Sequence, residues 1–353
     1  MSHIYYSRLD GIRFIAIIMV IIAHFASSIS RHISSAFYGV NLFFVLSGYL
    51  ITGILIASKN NSFKHSYFNF VLRRALRIFP AYYLSLFILF LIGEDFIQND
   101  MPYLLTYSYN YFIDHSKPLP SHVFYWSLAV EEQFYLIFPL IVIALKKHIQ
   151  YLIIIILIII SLAYLQVFTN LFNLKEYDYV GLLTNMAPLS IGALGAFINK
   201  NSCAIKKIFE NIYIELFLFT ILFISLNKFN FQFKILFCSI INLFIILKAS
   251  MFEFRLNFIN KFLSNNIVTN VGKVSYGIYL YHGVVGKFVT KHLFNPIWEH
   301  LDFKKYPNLS FLYDWDWIFR VILVTITSTT IAMISFKYFE SIFLKFKDKY
   351  FKN

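Results

Sequence analysis

Two cationic clusters and an imidazole stand out of an otherwise apolar chain. Arg13 and His24 are 11 residues apart with almost nothing polar between them. In a helix that separation is about three turns, so both side chains leave one face, roughly 16 Å apart along the axis. An imidazole, with an ordinary pKa of about 6.5, can accept and return a proton near neutrality. The second cluster is Arg73-Arg74-Ala75-Leu76-Arg77, directly before Ile78-Phe79-Pro80. Arg74 and Arg77 are i,i+3 neighbours on one helical face, at what reads as a proline-marked helix entrance. Paired guanidinium groups suit phosphate, because each offers a planar fork of donors.

Carboxylates and hydroxyls follow in two further segments. In Trp126-Ser127-Leu128-Ala129-Val130-Glu131-Glu132, Ser127 and Glu131 are i,i+4 and share a face. Glu131 is the expected partner of His24, and Glu132 is expected to be a solvated rim charge. In Ser275-Tyr276-Gly277-Ile278-Tyr279-Leu280-Tyr281-His282, Ser275 and His282 are i,i+7 and again share a face. Each group has a plainer explanation when taken alone. An isolated arginine at a helix start is a topology signal, and an isolated buried histidine often only bridges two helices. The segment from Gly39 through Asn41, Ser47 and Gly48 to Gly53 reads as small-residue packing around the site. Cys203 and Cys238 have neither metal-ligand nor disulfide spacing, so they read as packing residues and no metal is expected.

The elements that position these groups must be solvated by lipid. Hydrophobic residues make up 59% of the 353 residues, charged ones 14%, and the mean hydropathy is +0.65. A soluble domain is about half apolar and about a quarter charged. That excludes ordinary cytosolic enzymes, disordered chains and disulfide scaffolds. About ten apolar runs approach the roughly 20 residues that a spanning helix needs: 11–30, 38–57, 78–93, 125–145, 150–168, 181–199, 209–227, 235–250, 267–290 and 317–336. With both termini in the cytoplasm, most of the 31 Lys and Arg residues fall in inside segments, as the positive-inside rule asks. The net charge of +13 is thereby explained without nucleic acid. The first run, ending near Ala26-Ser27-Ser28, resembles a signal peptide, but Arg13, His24 and the spans that follow mark it as a retained helix. Residues 103–113 read as an interfacial helix with an aromatic belt. The long outside stretches, 94–124 and 291–316, carry Glu94, Asp95, Asp114, Asp302 and Asp314 among their acids. The expectation is an all-α polytopic membrane protein, one domain over 1–353 with no appended soluble domain.

Taken in order, these segments resemble the membrane-bound acyltransferase family 3, which includes bacterial carbohydrate O-acetyltransferases. The resemblance runs over nearly the whole chain. It is carried by Leu9-Asp10-Gly11-Ile12-Arg13 with the Arg-(ten residues)-His spacing to His24, and by Phe43-Phe44-Val45-Leu46-Ser47-Gly48. It continues through the Arg74–Arg77 pair, Trp126-Ser127-Leu128-x-x-Glu131-x-x-Phe134-Tyr135, and Ser275 through His282. Two departures are visible. Asn41 stands where an acid is often seen, and no Arg-Pro follows Glu340.

The resemblance implies transfer of an acyl group, usually acetyl, from a cytoplasmic coenzyme A thioester to a glycan hydroxyl, in a bacterial cytoplasmic (inner) membrane. Arg13, Arg74 and Arg77 would then hold the phosphates of acetyl-CoA by charge-assisted bonds. His24 would take the hydroxyl proton, or carry the acyl group as a relay. Glu131 would stabilise the imidazolium. Trp126, Ser127, Tyr276 and His282 are weaker candidates for substrate contacts. The partners implied are acyl-coenzyme A, a carbohydrate acceptor such as a polysaccharide or lipopolysaccharide of the cell envelope, and the bilayer. A transporter or flippase for glycolipid precursors would share the spans, the basic mouth and the buried histidine, but needs no thioester. Acceptor, acyl group and oligomeric state are not encoded in these motifs.

Overall fold

A segment inside lipid must satisfy its backbone hydrogen bonds internally, and for a single segment the helix does so. The computed structural model describes residues 6–26, 35–58, 62–93, 97–113, 120, 122–172, 180–198, 202–211, 213–217, 220, 231–300 and 315–351. Among the described residues all regular structure is helical. The helices are α1 (Ser7–Phe25), α2 (Ser35–Ala57), α3 (Phe63–Ile92), α4 (Ile97–Leu105), α5 (Tyr125–Ala144), α6 (Lys147–Phe172) and α7 (Leu182–Gly195). After them come α8 (Cys203–Glu210), α9 (Phe231–Ser250), α10 (Asn257–Leu263), α11 (Asn266–Lys273) and α12 (Ser275–Val289). The described chain ends with α13 (Asn295–Glu299), α14 (Asp316–Ser335) and α15 (Ser341–Tyr350).

Among the described residues six helices are long and apolar enough to cross a membrane: α2, α3, α5, α6, α9 and the run from α14 into α15. Their outer faces carry residues such as Phe87, Leu91 and Ile159, each more than half exposed, as a lipid-solvated surface requires. Ten of the 19 residues of the expected span 209–227 lie outside the described residues. So do Ser27, Ser28, Glu94, Asp95, Asp114, Asp302 and Asp314.

Several expected boundaries are corrected. Residues 78–93 are the second half of the 30-residue α3, so Arg73, Arg74 and Arg77 lie inside a helix and Pro80 within it, not at its entrance. Proline in a helix interior removes one backbone bond without ending a helix that its neighbours hold. The expected span 267–290 breaks at Val274 into α11 and α12. Residues 103–113 are not one helix. Tyr107 adopts a positive φ of 51° and stacks on Tyr82 with ring centroids 4.2 Å apart, which ends α4 before the short turn Tyr109–Tyr111.

α2 is the central helix, packed by α1, α5, α7 and α9. Its crossing with α7 depends on reciprocal glycines. A Cβ on Gly48 would lie 1.9 Å from the Leu189 carbonyl oxygen, and one on Gly192 would lie 2.0 Å from that of Val45. Gly272 of α11 meets the Asp10 carbonyl of α1 at 1.9 Å in the same sense. Close backbone approach at small residues is how helices pack where lipid supplies no hydrophobic drive. Gly53 has nothing within 4 Å of its would-be Cβ and takes no part. Asn41 is fully buried, with its amide bonded to Ser239 (3.0 Å) and receiving Asn242 (2.8 Å). A neutral amide can donate and accept at once, which explains why no acid is needed there.

Candidate functional site

The groups singled out by type and spacing fall into two adjoining places. The first is a cavity of about 130 Å³ among α1, α2, α3, α5 and α12, whose walls include Arg13, Arg74, Arg77, Glu131, Ser127 and Tyr276. It shares Arg13, Arg74, Arg77, Lys273 and Tyr276 with a wider cavity of about 510 Å³, which extends past Glu340 to Lys347 of α15. The two therefore form one passage, broad at the end where α1 begins and narrow toward Ser127 and Tyr279.

Each cation is positioned differently. Arg13 forms an ion pair with Asp10, one turn below it on α1. The Arg74 guanidinium lies over the Tyr135 ring, 5.4 Å from its centroid, and over Phe70 at 5.8 Å. Those faces hold the charge without consuming its hydrogen-bond donors. Arg77, one turn further along α3, is exposed to the passage, and Tyr276 ties α12 to α3 beside it by donating to the Ile78 carbonyl at 3.1 Å.

The carboxylates differ from expectation. Glu131 does not pair with His24. It accepts a hydrogen bond from Tyr135 (3.0 Å), whose hydroxyl also meets Ser47 in a very short contact. The reason is register: Tyr135 is one turn from Glu131 on α5, and α2 brings Ser47 against both. Glu132, expected at a solvated rim, is 7% exposed and lines the narrow cavity. The neighbouring α2 and α3 cover the helix entrance that adjacent carboxylates had suggested was open.

The second place lies beyond the narrow end. Tyr279 donates to the Phe124 carbonyl (3.1 Å) and shares a 2.6 Å hydrogen bond with Ser127. Its ring packs against Phe43 on the cavity side, at 6.2 Å, and against Phe124 and His282 on the other, at 5.4 and 5.5 Å. His24 and His282 stand behind this wall, with ring centroids 5.1 Å apart. His24 is exposed and His282 fully buried. The segment bearing Phe124 is clamped by His122, whose Nε2 meets the Asp100 carboxylate at 2.8 Å. Burial and then the Asp100 charge push the nearby Tyr109 hydroxyl well above its ordinary range. Trp126 points elsewhere, edge-on to Phe44 with centroids 6.0 Å apart, outside the cavity lining.

In the sequence Ser47, Tyr135 and Tyr279 stand only as packing or motif letters, although each sits one turn or one helix contact from a candidate. Tyr135 is i+4 from Glu131 and Tyr279 is i−3 from His282, spacings that place them on the same faces. Glu340, Lys273 and Lys347 carry no such signal.

In comparison with known proteins, residues 6–337 match a family described as an acyltransferase domain. The chain is 30% identical to the peptidoglycan O-acetyltransferase OatA of Listeria monocytogenes, over 96% of this chain and 56% of that protein. It is 32% identical to the O-acetyltransferase OatA of Staphylococcus aureus, over 82% of this chain and 52% of that protein. The chain thus spans about half the length of the curated relatives it matches. No solved structure matches it.

Proposed function

This chain belongs to the acyltransferase family, and on that footing we propose that it is an integral membrane O-acyltransferase of the bacterial cytoplasmic membrane. It moves an acyl group, acetyl in the first instance, from acyl-coenzyme A on the cytoplasmic side to a hydroxyl of a cell-surface or periplasmic glycan. The observation that carries the reading is the passage itself. It is broad and cationic at one end, narrows along Arg74, Glu131 and Ser127, and stops at the Tyr279 ring with His24 and His282 just beyond. An anionic nucleotide fits the broad end and a slender arm the narrow one. Both termini lie on the cytoplasmic side in this reading, with the broad mouth.

The chemistry follows from the imidazole's tautomer. A carbonyl oxygen only accepts, so the 2.8 Å contact of His24 Nδ1 with the Val20 carbonyl places a proton on Nδ1 and leaves the lone pair on Nε2. The acceptor hydroxyl gives its proton to Nε2 while its oxygen attacks the thioester carbonyl. The carbon–sulfur bond breaks, and the sulfur leaves with the proton that His24 returns. A relay runs through the same atom: the acyl carbon bonds first to Nε2 and the sulfur leaves as thiolate, then the hydroxyl oxygen displaces the imidazole, and the hydroxyl proton goes to the freed Nε2 and from it to the thiolate. Both routes require the Tyr279 ring to swing aside. Glu131, through Tyr135, orients the aromatic face under Arg74 and so belongs to the donor side.

The test is transfer of labelled acetyl from acetyl-CoA to glycan by the purified protein in lipid. Wild type is expected to release one thiol per acetyl transferred. Absence of any thioester turnover, with glycolipid translocation in its place, overturns the reading in favour of a transporter.

A further inference from the structure

We infer that the C-terminal helix α15 completes the donor site, with Lys347 binding the 3′-phosphate of the coenzyme A nucleotide. This inference rests on the acyl-coenzyme A reading above.

The wider cavity is lined by five cationic side chains but only two acidic ones, Asp10 and Glu340. Both acids are already engaged. Asp10 holds Arg13, and Glu340 accepts a hydrogen bond from Ser335 at 3.1 Å. Arg77 makes no hydrogen bond or ion pair among the described residues, so its fork of donors is left for a ligand. Lys347 lies within electrostatic reach of both Arg77 and Arg73. Its partner Asp348, at 3.3 Å, is 67% exposed, where solvent weakens the pair. Like charges gathered at a cavity wall repel unless an anion lies between them.

The gathering is imposed by the fold. α15 packs on α3, and Arg73 of α3 bonds the Phe351 carbonyl just beyond α15. That contact holds the helix, and Lys347 with it, against the arginines.

Position separates the cations. Arg13, Arg74, Arg77 and Lys273 line both cavities, whereas Lys347 lines only the wide one. A nucleotide whose arm points into the narrow cavity has its pyrophosphate nearest the arm and its 3′-phosphate on the ribose, farther out. Arg74 and Arg77 therefore match the pyrophosphate and Lys347 the 3′-phosphate. Lys347 of α15 thus acts as a ligand-reading residue.

The test compares acetyl-CoA with 3′-dephospho-acetyl-CoA as donors for the full-length protein in lipid nanodiscs. Wild type should show a KM about tenfold lower for acetyl-CoA, the size expected for one hydrogen bond between charged groups. In Lys347→Ala that ratio should fall toward one, through a rise in KM for acetyl-CoA, and Lys347→Arg should restore most of it. A wild-type ratio that survives in Lys347→Ala overturns the inference, as does equal use of the two donors by wild type. Failure to use either donor overturns the donor reading itself. A second measurement needs no variant. Adenosine 3′,5′-bisphosphate should compete with acetyl-CoA about tenfold better than adenosine 5′-monophosphate, and equal competition overturns the inference.

Discussion

His24 and His282 face one another at 5.1 Å between ring centroids, and each has Nδ1 bonded to a backbone carbonyl of its own helix. His24 uses Val20 (2.8 Å) and His282 uses Tyr279 (2.7 Å). Both rings are thereby fixed with a lone pair on Nε2, and that of His282 has no partner among the described residues. A buried nitrogen left unsatisfied is costly, and its place beside the candidate base suits a second acceptor for the same proton. His24→Ala should therefore cut kcat by about 10²–10⁴-fold while leaving donor KM near normal. Adding His282→Gln to it should cost little more, because residues acting as one unit are non-additive. Retention of most activity by His24→Ala in membranes, at matched protein level, sinks the assignment.

Arg74 and Arg77 are assigned to donor phosphates. Alanine at either position should raise the KM for acetyl-CoA by about tenfold or more. Lysine should rescue only in part, since a point charge lacks the fork. Raising salt should weaken wild-type donor binding and have little further effect on the double alanine variant. Unchanged KM in the double variant reduces the pair to topology signals.

Glu131 is bonded to Tyr135 and away from His24, so in the proposed mechanism the two act at different stages. Glu131→Gln should raise donor KM several-fold with a smaller change in kcat. Its effect should multiply with that of His24→Ala in a double-mutant cycle, as independent sites do. A double variant no worse than His24→Ala alone would restore the direct partnership that the geometry denies.

The α2–α7 crossing makes a stability prediction. A methyl at Gly48 or Gly192 meets a carbonyl oxygen at 1.9 or 2.0 Å, so Gly48→Ala and Gly192→Ala should each cost about 3 kcal/mol or more. Gly53→Ala, with open space around its Cβ, should be neutral or slightly stabilising. Thermal denaturation in detergent reads the difference, and equal midpoints for Gly48→Ala and Gly53→Ala would contradict the close crossing.

Orientation is tested by single cysteines in a background lacking Cys203 and Cys238. Cysteine at the exposed positions Lys64 and Tyr350 should react only with permeant reagent in intact cells, and cysteine at Tyr111 with impermeant reagent as well. The reverse pattern would put the broad cationic mouth on the outside.

What the sequence makes legible is which polar groups line the cavity, although His24, His282 and Trp126, singled out with them, lie outside it. Polar groups are so rare in this chain that Arg13, Arg74, Arg77, Ser127, Glu131 and Tyr276 stand out, and the fold does gather them in one cavity. Which group meets which is not legible. Glu131 and His24 lie on different helices, and their relative height depends on α1, α2 and α5 meeting through glycines and aromatics whose depth no periodicity encodes. Glu132 is misjudged for the same reason, since its burial comes from neighbours and not from its own helix. Within a single helix the spacing holds: Ser275 and His282 both lie on the buried face of α12. The break at Val274 and the left-handed Tyr107 escape because neither is a glycine or a proline.

The Tyr279 ring, lodged between Phe43, Phe124 and His282, also bears on the cell's energy supply. A membrane under voltage drives charge through any continuous wet path, at about 2.3 kcal/mol per elementary charge for each 100 mV. The passage from the arginines toward Tyr279 carries Arg13, Arg74, Arg77, Glu131, Glu132 and Ser127 on its walls, groups that bind water. Among the described residues, the packed rings of Tyr279, Phe43 and Phe124 stand between that passage and the pair of His24 and His282. In the proposed mechanism the aromatic plug that the acyl group passes would also keep the bilayer insulating between turnovers.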